Sequence, residues 1–305
     1  MSSLLTQEHI DQFLDDGYCC VENVLNVEEV DNTRNEFHKE LLKYDINHHN
    51  ILNGIDESPA DIRKKSKVSN MFYAKFKFDL QINENMYNTW KTLMNNVIKE
   101  YPIGHHDDVI PYFDRVCYRL PDCIREEGGL GLHLDRRPGP NGFKRINFYR
   151  PIQGFLALTD HYGDESGGLK LVTKFHNEFD SFFKGKFDDN TESGQFFRMG
   201  DKSYEKLQKR CKAIVIPAGS LVMWDNRLPH ATCKKLANFD SREVIYMSYI
   251  PNVPLNVSYG KQQKEHFLQN KKPPAYIGSD DFTIDRNYEV NDLTDIQKKI
   301  LDITL

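Results

Sequence analysis

Apolar positions recur at helical spacing through the first third of the chain and at strand spacing through its middle. Thr6 is a helix N-cap residue type, followed by Ile10, Phe13 and Leu14 on one face, and Gly17 is the stop signal. Tyr18 to Val24 is β-prone and reads as a strand. Val30, Phe37, Leu41 and Tyr44 form one stripe, predicting a helix over Val27 to Tyr44. Asp45 to Lys67 is polar, with Asn53-Gly54 and Pro59, and predicts a loop with at most one short helix. Met86, Trp90, Leu93, Met94, Val97 and Tyr101 give the strongest amphipathic helix, a stripe suited to core packing.

After Gly104 the period shortens. Short β-prone runs separated by Gly, Pro and Asn include Val116–Tyr118, Gly154–Leu158, Leu169–Val172, Ala213–Ile216, Ser220–Trp224 and Val244–Tyr249. Such runs with regular turn signals predict a sandwich or barrel. His176 to Cys211 interrupts them with Phe179, Phe182, Phe183, Phe187, Phe196 and Phe197 among charges. It reads either as a helical excursion packed on the barrel or as a lid whose aromatics line a pocket. Beyond Pro254 the chain is polar and ends in a helical piece, Leu293 to Leu301, which we assign to packing.

Composition narrows the function classes. The 305 residues carry a net charge of −5, which argues against nucleic-acid partners that need a basic surface. No apolar run approaches the roughly 20 residues of a membrane span. Six cysteines lie scattered without a Cys-x-x-Cys, the pattern of free thiols in a reducing compartment. Met1 to Gln12 lacks the features of a secretory signal, and Asp302 to Leu305 is not a Ser-Lys-Leu type of address. The expected location is cytoplasmic, and the expected partner is a small molecule.

His-x-Asp occurs four times: His9/Asp11, His105/Asp107, His106/Asp108 and His133/Asp135. In a strand, residues i and i+2 point to one face, whereas in a helix they diverge. His9 falls in the first helix, and His105 to Asp108 in a polar run beside Gly104. His133 alone is framed as a short strand, by Gly128, Gly129 and Gly131 before it and Pro138, Gly139 and Pro140 after. An imidazole and a carboxylate on one strand face are two members of a 2-His-1-carboxylate metal set. The third is best sought in Gly219 to Thr232, at His230, where a strand, a turn and a second strand begin. By itself His230 also reads as a turn histidine. Arg242 follows 12 residues later, enough for a strand, a turn and a step into the neighbouring strand. Thr232 lies two residues after His230 and faces the same way. A guanidinium with a hydroxyl suits a carboxylate, although Arg242 alone reads equally as a surface arginine.

His133, Asp135, His230 and Arg242, in this order and spacing, resemble the Fe(II)/2-oxoglutarate-dependent dioxygenases, and within them the phytanoyl-CoA dioxygenase family. The resemblance covers most of residues 4 to 250. It includes Leu5 to Leu25, Ala157-Leu158-Thr159-Asp160 followed by Gly167-Gly168-Leu169, and Gly219 to His230. The family often has Pro-Gly-Ser-His after the Gly-Gly-Leu strand, where this chain has Thr173-Lys174-Phe175-His176. Substrate choice is therefore not carried over.

The resemblance implies a mainly β fold with flanking helices around a double-stranded β-helix (jelly-roll, cupin-like) core. It implies one oxygenase domain over 1–305: a helical buttress at 1–104, a core at 105–254 with an insertion at 176–211, and an extension at 255–305. His133, Asp135 and His230 would hold Fe(II). 2-Oxoglutarate would place its distal carboxylate on Arg242 and Thr232, with Tyr118 and Arg119 as candidates for its C1 end. O2 would be the further co-substrate, and succinate and CO2 the co-products. Related halogenases replace the metal carboxylate with a small residue, so Asp135 favours hydroxylation of a small organic or lipid-like substrate. Arg136 and Arg137 are candidates for attracting an anionic substrate to the pocket mouth, or a solvated turn. Two alternatives stand beside this reading. One is a cupin-like metal enzyme that does not use 2-oxoglutarate; the other is a non-catalytic jelly-roll binding protein. Arg242 and Thr232 discriminate against the first, which needs no distal carboxylate clamp, and the intact ligand set weighs against the second.

Overall fold

The strands predicted after Gly104, joined by Tyr18–Val21 and by Phe197–Arg198 of the interrupting segment, form two antiparallel five-stranded sheets, with helices packed on the outer face of one. The computed structural model describes residues 3–56, 71–98, 108–126, 128–135, 138, 149–186, 196–237, 240–276 and 286–303. The chain begins with α1 (Gln7–Asp16), β1 (Tyr18–Val21), α2 (Val27–Leu42), α3 (His48–Leu52), α4 (Lys75–Gln81) and α5 (Glu84–Val97). The strand region follows as β2 (Val109–Arg119), β3 (His133–Leu134), β4 (Ile152–Ala157) and β5 (Leu169–Leu171). Next come α6 (Phe179–Phe183), β6 (Phe197–Arg198), α7 (Glu205–Arg210) and β7 (Lys212–Ala213). The chain closes with β8 (Leu221–Asp225), β9 (His230–Thr232), β10 (Arg242–Pro251), α8 (Pro254–Leu268) and α9 (Asp295–Ile300).

Local chemistry accounts for the helix ends. Thr6 and His9 form a reciprocal capping box at the start of α1, and Gly17, at φ +83°, closes it in the left-handed region that glycine enters without strain. Asn26 and Glu29 repeat the box on α2. The loop predicted after Asp45 contains the short α3, N-capped by Asn47. Helices α4 and α8 were not expected from the sequence. α4 is a single two-turn helix, and the buried positions of α8 are mostly polar, so neither shows a clean apolar stripe.

The larger sheet has the order β1-β8-β4-β10-β2, and the smaller one β6-β3-β9-β5-β7. Along the larger sheet, alternation sends side chains to two different cores. Leu221, Met223, Leu156, Ile245 and Met247 join Phe13, Phe37, Trp90, Leu93 and Met94 from the helices. Val222, Trp224, Phe155, Ala157 and Val244 face the other way, where they meet Leu134, Leu169, Leu171 and Ala231 from the smaller sheet. Both faces of this sheet are buried, which is why its strands read as continuous apolar runs. The indole of Trp90 reaches so close to β4 that a Cβ on Gly154 would lie 3.0 Å from its ring and 2.7 Å from the Val222 carbonyl.

The pairing of β2 with β10 slips once, so that Asp114 and Arg115 together oppose Tyr246. A bulge of this kind re-aims the side chains it carries. β2 is the edge of its sheet, and α8 protects that edge. Gln263 accepts a hydrogen bond from the Phe113 N–H at 3.1 Å and donates to the Pro111 carbonyl at 2.6 Å. Phe267, Tyr288, Leu293 and Leu301 from the C-terminal region form a third core with Phe72, Phe78 and Phe113. Among the described residues, no helix is long and apolar enough to cross a membrane.

Candidate metal centre

His133 and His230 face one another across the β3–β9 ladder as direct cross-strand partners. Their rings lie 4.2 Å apart, and Asp135 follows β3 into the same space. The Asp135 Oδ1 atom is 3.5 Å from His133 Nε2 and 3.7 Å from His230 Nε2. One ligand atom from each of the three residues falls within 4.8 Å of the others, leaving room for a small cation between them.

The tautomers are set from behind. His133 Nδ1 donates to the Gly131 carbonyl at 2.7 Å, and His230 Nδ1 donates to the Leu228 carbonyl at 3.1 Å. Each proton is thereby held on Nδ1, and each Nε2 presents a lone pair to the shared space, as a metal-binding imidazole requires. Burial, then the neighbouring His230, pushes the His133 pKa down. Burial opposes the charge on Asp135, but the neighbouring His133 and His230, and then the Arg150 charge, outweigh it and hold its carboxyl well below the usual range. Two imidazoles that each turn Nε2 to a shared space, with an ionised carboxylate beside them, are the donor set of a divalent transition metal.

Two further side chains border the group, and of these Arg150 escaped the sequence reading. Arg150 lies 3.7 Å from the second oxygen of Asp135 and pairs with Asp114 at 3.0 Å, using the carboxylate that the β2 bulge re-aims. No local pattern announces Arg150, because its contact is made by the fold. The second is Phe196, whose ring stacks on His133 at 4.5 Å while remaining 41% exposed. The interrupting segment thus divides its aromatics: Phe179, Phe182, Phe183 and Phe197 pack with Phe175 and Tyr204, and Phe196 lies against His133. Phe187 lies outside the described residues, as do His105, His106, Arg136 and Arg137. His9 sits on α1, where its Nδ1 accepts from the Thr6 backbone.

Arg242 starts β10 on the face shared by the two sheets. It is 3% exposed, donates from Nη1 to Cys117 Sγ at 3.1 Å, and rests 5.7 Å from the Phe155 ring centroid. Its Nε meets no hydrogen-bonding group among the described residues. Thr232 Oγ1 accepts from the Leu130 N–H at 2.6 Å, leaving its hydroxyl proton to donate. Arg119 is also buried, but its guanidinium is used by the Cys233 and Lys234 carbonyls and Asp122. It anchors the segment after β9.

Tyr118 requires a correction. Strand alternation turns it away from the metal group and into the helical core, edge-on to Phe37 and with its hydroxyl 2.9 Å from His48 Nδ1. It cannot reach a cofactor between the sheets. A second group of close ligand atoms, His38, His48 and Glu243, lies on that same helical side. Glu243 already accepts from Arg34, His38 and Ser241, and the Arg34 guanidinium 3.0 Å away opposes a cation there. The group is an ion-pair network that ties α2 to β10.

The comparisons fit this architecture. The GlcNAc Inducible Gene 2 protein of Candida albicans superposes with a TM-score of 0.74 at 19% identity, covering 98% of this chain and 76% of that one. EvdO2 from Micromonospora carbonacea var. aurantiaca, solved with 2-oxoglutarate, superposes with a TM-score of 0.52 at 12% identity, covering 83% and 94%. At these identities the likeness is one of fold. A Dictyostelium discoideum protein whose name provisionally assigns it to the phytanoyl-CoA dioxygenases is 22% identical over 219 aligned residues, covering 62% of this chain. This chain spans 58% of the length of that relative. A match this distant does not establish the narrower phytanoyl-CoA dioxygenase resemblance. The Gig2-like family model matches residues 141–301, more than half of the chain and including His230 and Arg242. The chain belongs to the Gig2-like family.

Proposed function

We propose that this protein is a non-haem Fe(II)- and 2-oxoglutarate-dependent oxygenase, its two facing sheets forming a jelly-roll core. The observation that carries the reading is the pairing of two features on one interior face. One is the His133, Asp135, His230 group; the other is a buried guanidinium, Arg242, with no carboxylate partner among the described residues. A buried charge needs a partner, and a ligand carboxylate would supply one. The likeness of fold to a protein solved with 2-oxoglutarate supports the same reading.

His133 and His230 would bind iron through Nε2, and Asp135 would complete the facial set through Oδ1. Fe(II) with 2-oxoglutarate and O2 would supply the oxidising chemistry, giving succinate and CO2 and leaving a hydroxylated small organic or lipid-like substrate. The chain's own task is positional. The Gly131 and Leu228 carbonyls hold the two imidazoles in the ligating tautomer. Arg150 lies beside the second oxygen of Asp135 and orients it. Arg242 and the Thr232 hydroxyl would hold the distal carboxylate. Phe196 shields the His133 ring from water on one side.

An anaerobic titration tests the proposal. The parent chain should bind one Fe(II), then 2-oxoglutarate with a visible charge-transfer band, and should release succinate in air. His133→Ala, Asp135→Ala and His230→Ala should each lose iron binding, whereas His9→Ala should not. An iron-loaded parent that ignores 2-oxoglutarate would overturn the proposal in favour of a cupin-like metal enzyme.

A further inference from the structure

The interior contains, besides the unmet Nε of Arg242, a buried imidazole without a partner among the described residues. His161 is fully buried, yet neither Nδ1 nor Nε2 meets a hydrogen-bonding group among the described residues. Its main chain is pinned. The N–H donates to the Ile216 carbonyl at 2.9 Å, and its own carbonyl accepts from the Ile216 N–H at 3.1 Å. Only the imidazole is left over. A neutral imidazole carries one N–H donor and one lone pair, and burying both unmet costs free energy.

Arg242 and His161 lie against two adjacent glycines, Gly167 and Gly168 respectively. A Cβ on Gly167 would lie 3.4 Å from Arg242 Cδ, and one on Gly168 would lie 2.8 Å from His161 Cβ. Gly167, at φ +66°, also has a backbone that other residues rarely adopt. The Phe155 ring packs against both side chains, 5.9 Å from the His161 ring and 5.7 Å from the Arg242 guanidinium carbon. Burial first, and the Arg242 charge second, keep His161 well below its ordinary pKa, so it is a neutral donor at physiological pH.

The partner of this corner is constrained by chemistry. A cation is excluded by Arg242, and an apolar group would leave His161 and Arg242 Nε unmet. A carboxylate offers two oxygens and about four acceptor sites, more than one guanidinium edge uses. We infer that His161 is a second arm of the distal-carboxylate clamp, donating its ring N–H to the same ligand carboxylate that Arg242 holds. This rests on the 2-oxoglutarate reading above. It assigns the Gly167-Gly168 pair a purpose, which is to let both arms approach one oxygen pair.

The test compares two 2-oxo acids on the Fe(II)-loaded, anaerobic full chain by calorimetry. 2-Oxoglutarate carries the distal carboxylate, and 2-oxopentanoate has the same length without it. His161→Phe should bind 2-oxoglutarate at least about tenfold more weakly, near 1.4 kcal/mol. Its binding of Fe(II) and 2-oxopentanoate should stay within about twofold of the parent. His161→Gln, which restores an N–H donor, should recover part of the loss. Should His161→Phe not fold, 15N-histidine spectra of the Zn(II)-loaded parent serve. The His161 ring signal should then move on adding 2-oxoglutarate and stay still on adding 2-oxopentanoate. Parent-like 2-oxoglutarate affinity in His161→Phe, or equal losses for both acids, would overturn the second arm alone. A parent that binds Fe(II) but no 2-oxo acid would remove the cofactor reading and this inference with it.

Discussion

At the scale of single residues, buried charge is the informative feature, because a charge removed from water must have a partner or shift its protonation. Arg242 is the first case. Removing one partner of a buried, hydrogen-bonded charge pair typically costs about 2–5 kcal/mol. Arg242→Met should therefore raise the 2-oxoglutarate requirement at least about tenfold with Fe(II) binding near normal, and Arg242→Lys should also be impaired because an ammonium cannot make the fork. Thr232→Val should lose about 1 kcal/mol, one hydrogen bond. Parent-like 2-oxoglutarate titration in Arg242→Met would count against the clamp. Lys77 is the second case. It is wholly buried, donating to the Phe72 carbonyl and Gln81 Oε1 at 3.1 Å each. Burial, only partly offset by Asp114, brings its pKa from 10.5 down to about 7. A base with a lowered folded pKa costs most stability when charged, so that cost is absent above pH 10.5, grows as pH falls to about 7, and is constant below. Lys77→Met should remove this slope, so the difference in unfolding free energy between parent and variant should change by roughly 3–5 kcal/mol between pH 10.5 and 7. Urea melts across that range would measure it, and parallel curves for the two proteins would refute it.

At the scale of elements, the larger sheet is held between two cores, and its strands communicate with both. The contact between Trp90 on α5 and Gly154 on β4 is the tightest helix–sheet approach described above, at 3.0 Å from a notional Cβ. Gly154→Ala would force either the indole or the strand to move, and overpacking of this kind typically costs about 1–3 kcal/mol. A lower urea midpoint with unchanged slope is the expected result, and an unchanged midpoint would show that the interface yields. The interrupting segment is an element of a different kind. Through β6 it adds an edge strand to the smaller sheet beside β3, with His133 opposite Arg198 and Leu134 opposite Phe197. It therefore acts both as packing and as the wall that carries Phe196 to His133. Packing accounts for most of its described phenylalanines, and Phe196 is the one that reaches His133.

At the scale of the whole molecule, the Arg34–Glu243–His38 network binds the helical layer to β10, directly behind Arg242. Glu243 is fully buried, and although burial raises its pKa, His38 and Arg34 bring it down from 4.5 to about 2. A carboxylate with a lowered folded pKa contributes stability above its unfolded value, and loses that contribution as pH falls from 4.5 to 2. His48, lowered from 6.5 to about 4 by burial and then by His38, acts in the same direction. It stays neutral in the fold while the unfolded chain takes up a proton, so stability falls from pH 6.5 to 4. The protein should lose stability progressively below pH 6.5 in urea melts. Glu243→Gln should flatten the limb between pH 4.5 and 2 by roughly 2–4 kcal/mol relative to the parent. An acid limb identical in parent and variant would assign the acid sensitivity elsewhere.

By itself the sequence determined whatever depends on near neighbours. The capping box at Thr6, the stop at Gly17 and the stripe through Trp90, Leu93 and Met94 are written within a few turns of backbone, and they appear as α1 and α5. So is the frame of glycines and prolines that singles out His133 from the other three His-x-Asp pairs, since strand spacing is a local property. Tertiary structure alone decided which distant groups meet. Alternation along β2 separates Tyr118 from Cys117 and Arg119, but it does not say which side faces the smaller sheet, because both sides of this sheet are buried and apolar. The contact of His133 with His230 is a cross-strand register, and that of Asp135 with Arg150 depends on how the β2 bulge aims Asp114. His161 carries no sequence signal at all. Its unmet imidazole exists only because the fold closes water out around Gly167 and Gly168, and burial, unlike period or spacing, belongs to the whole chain at once.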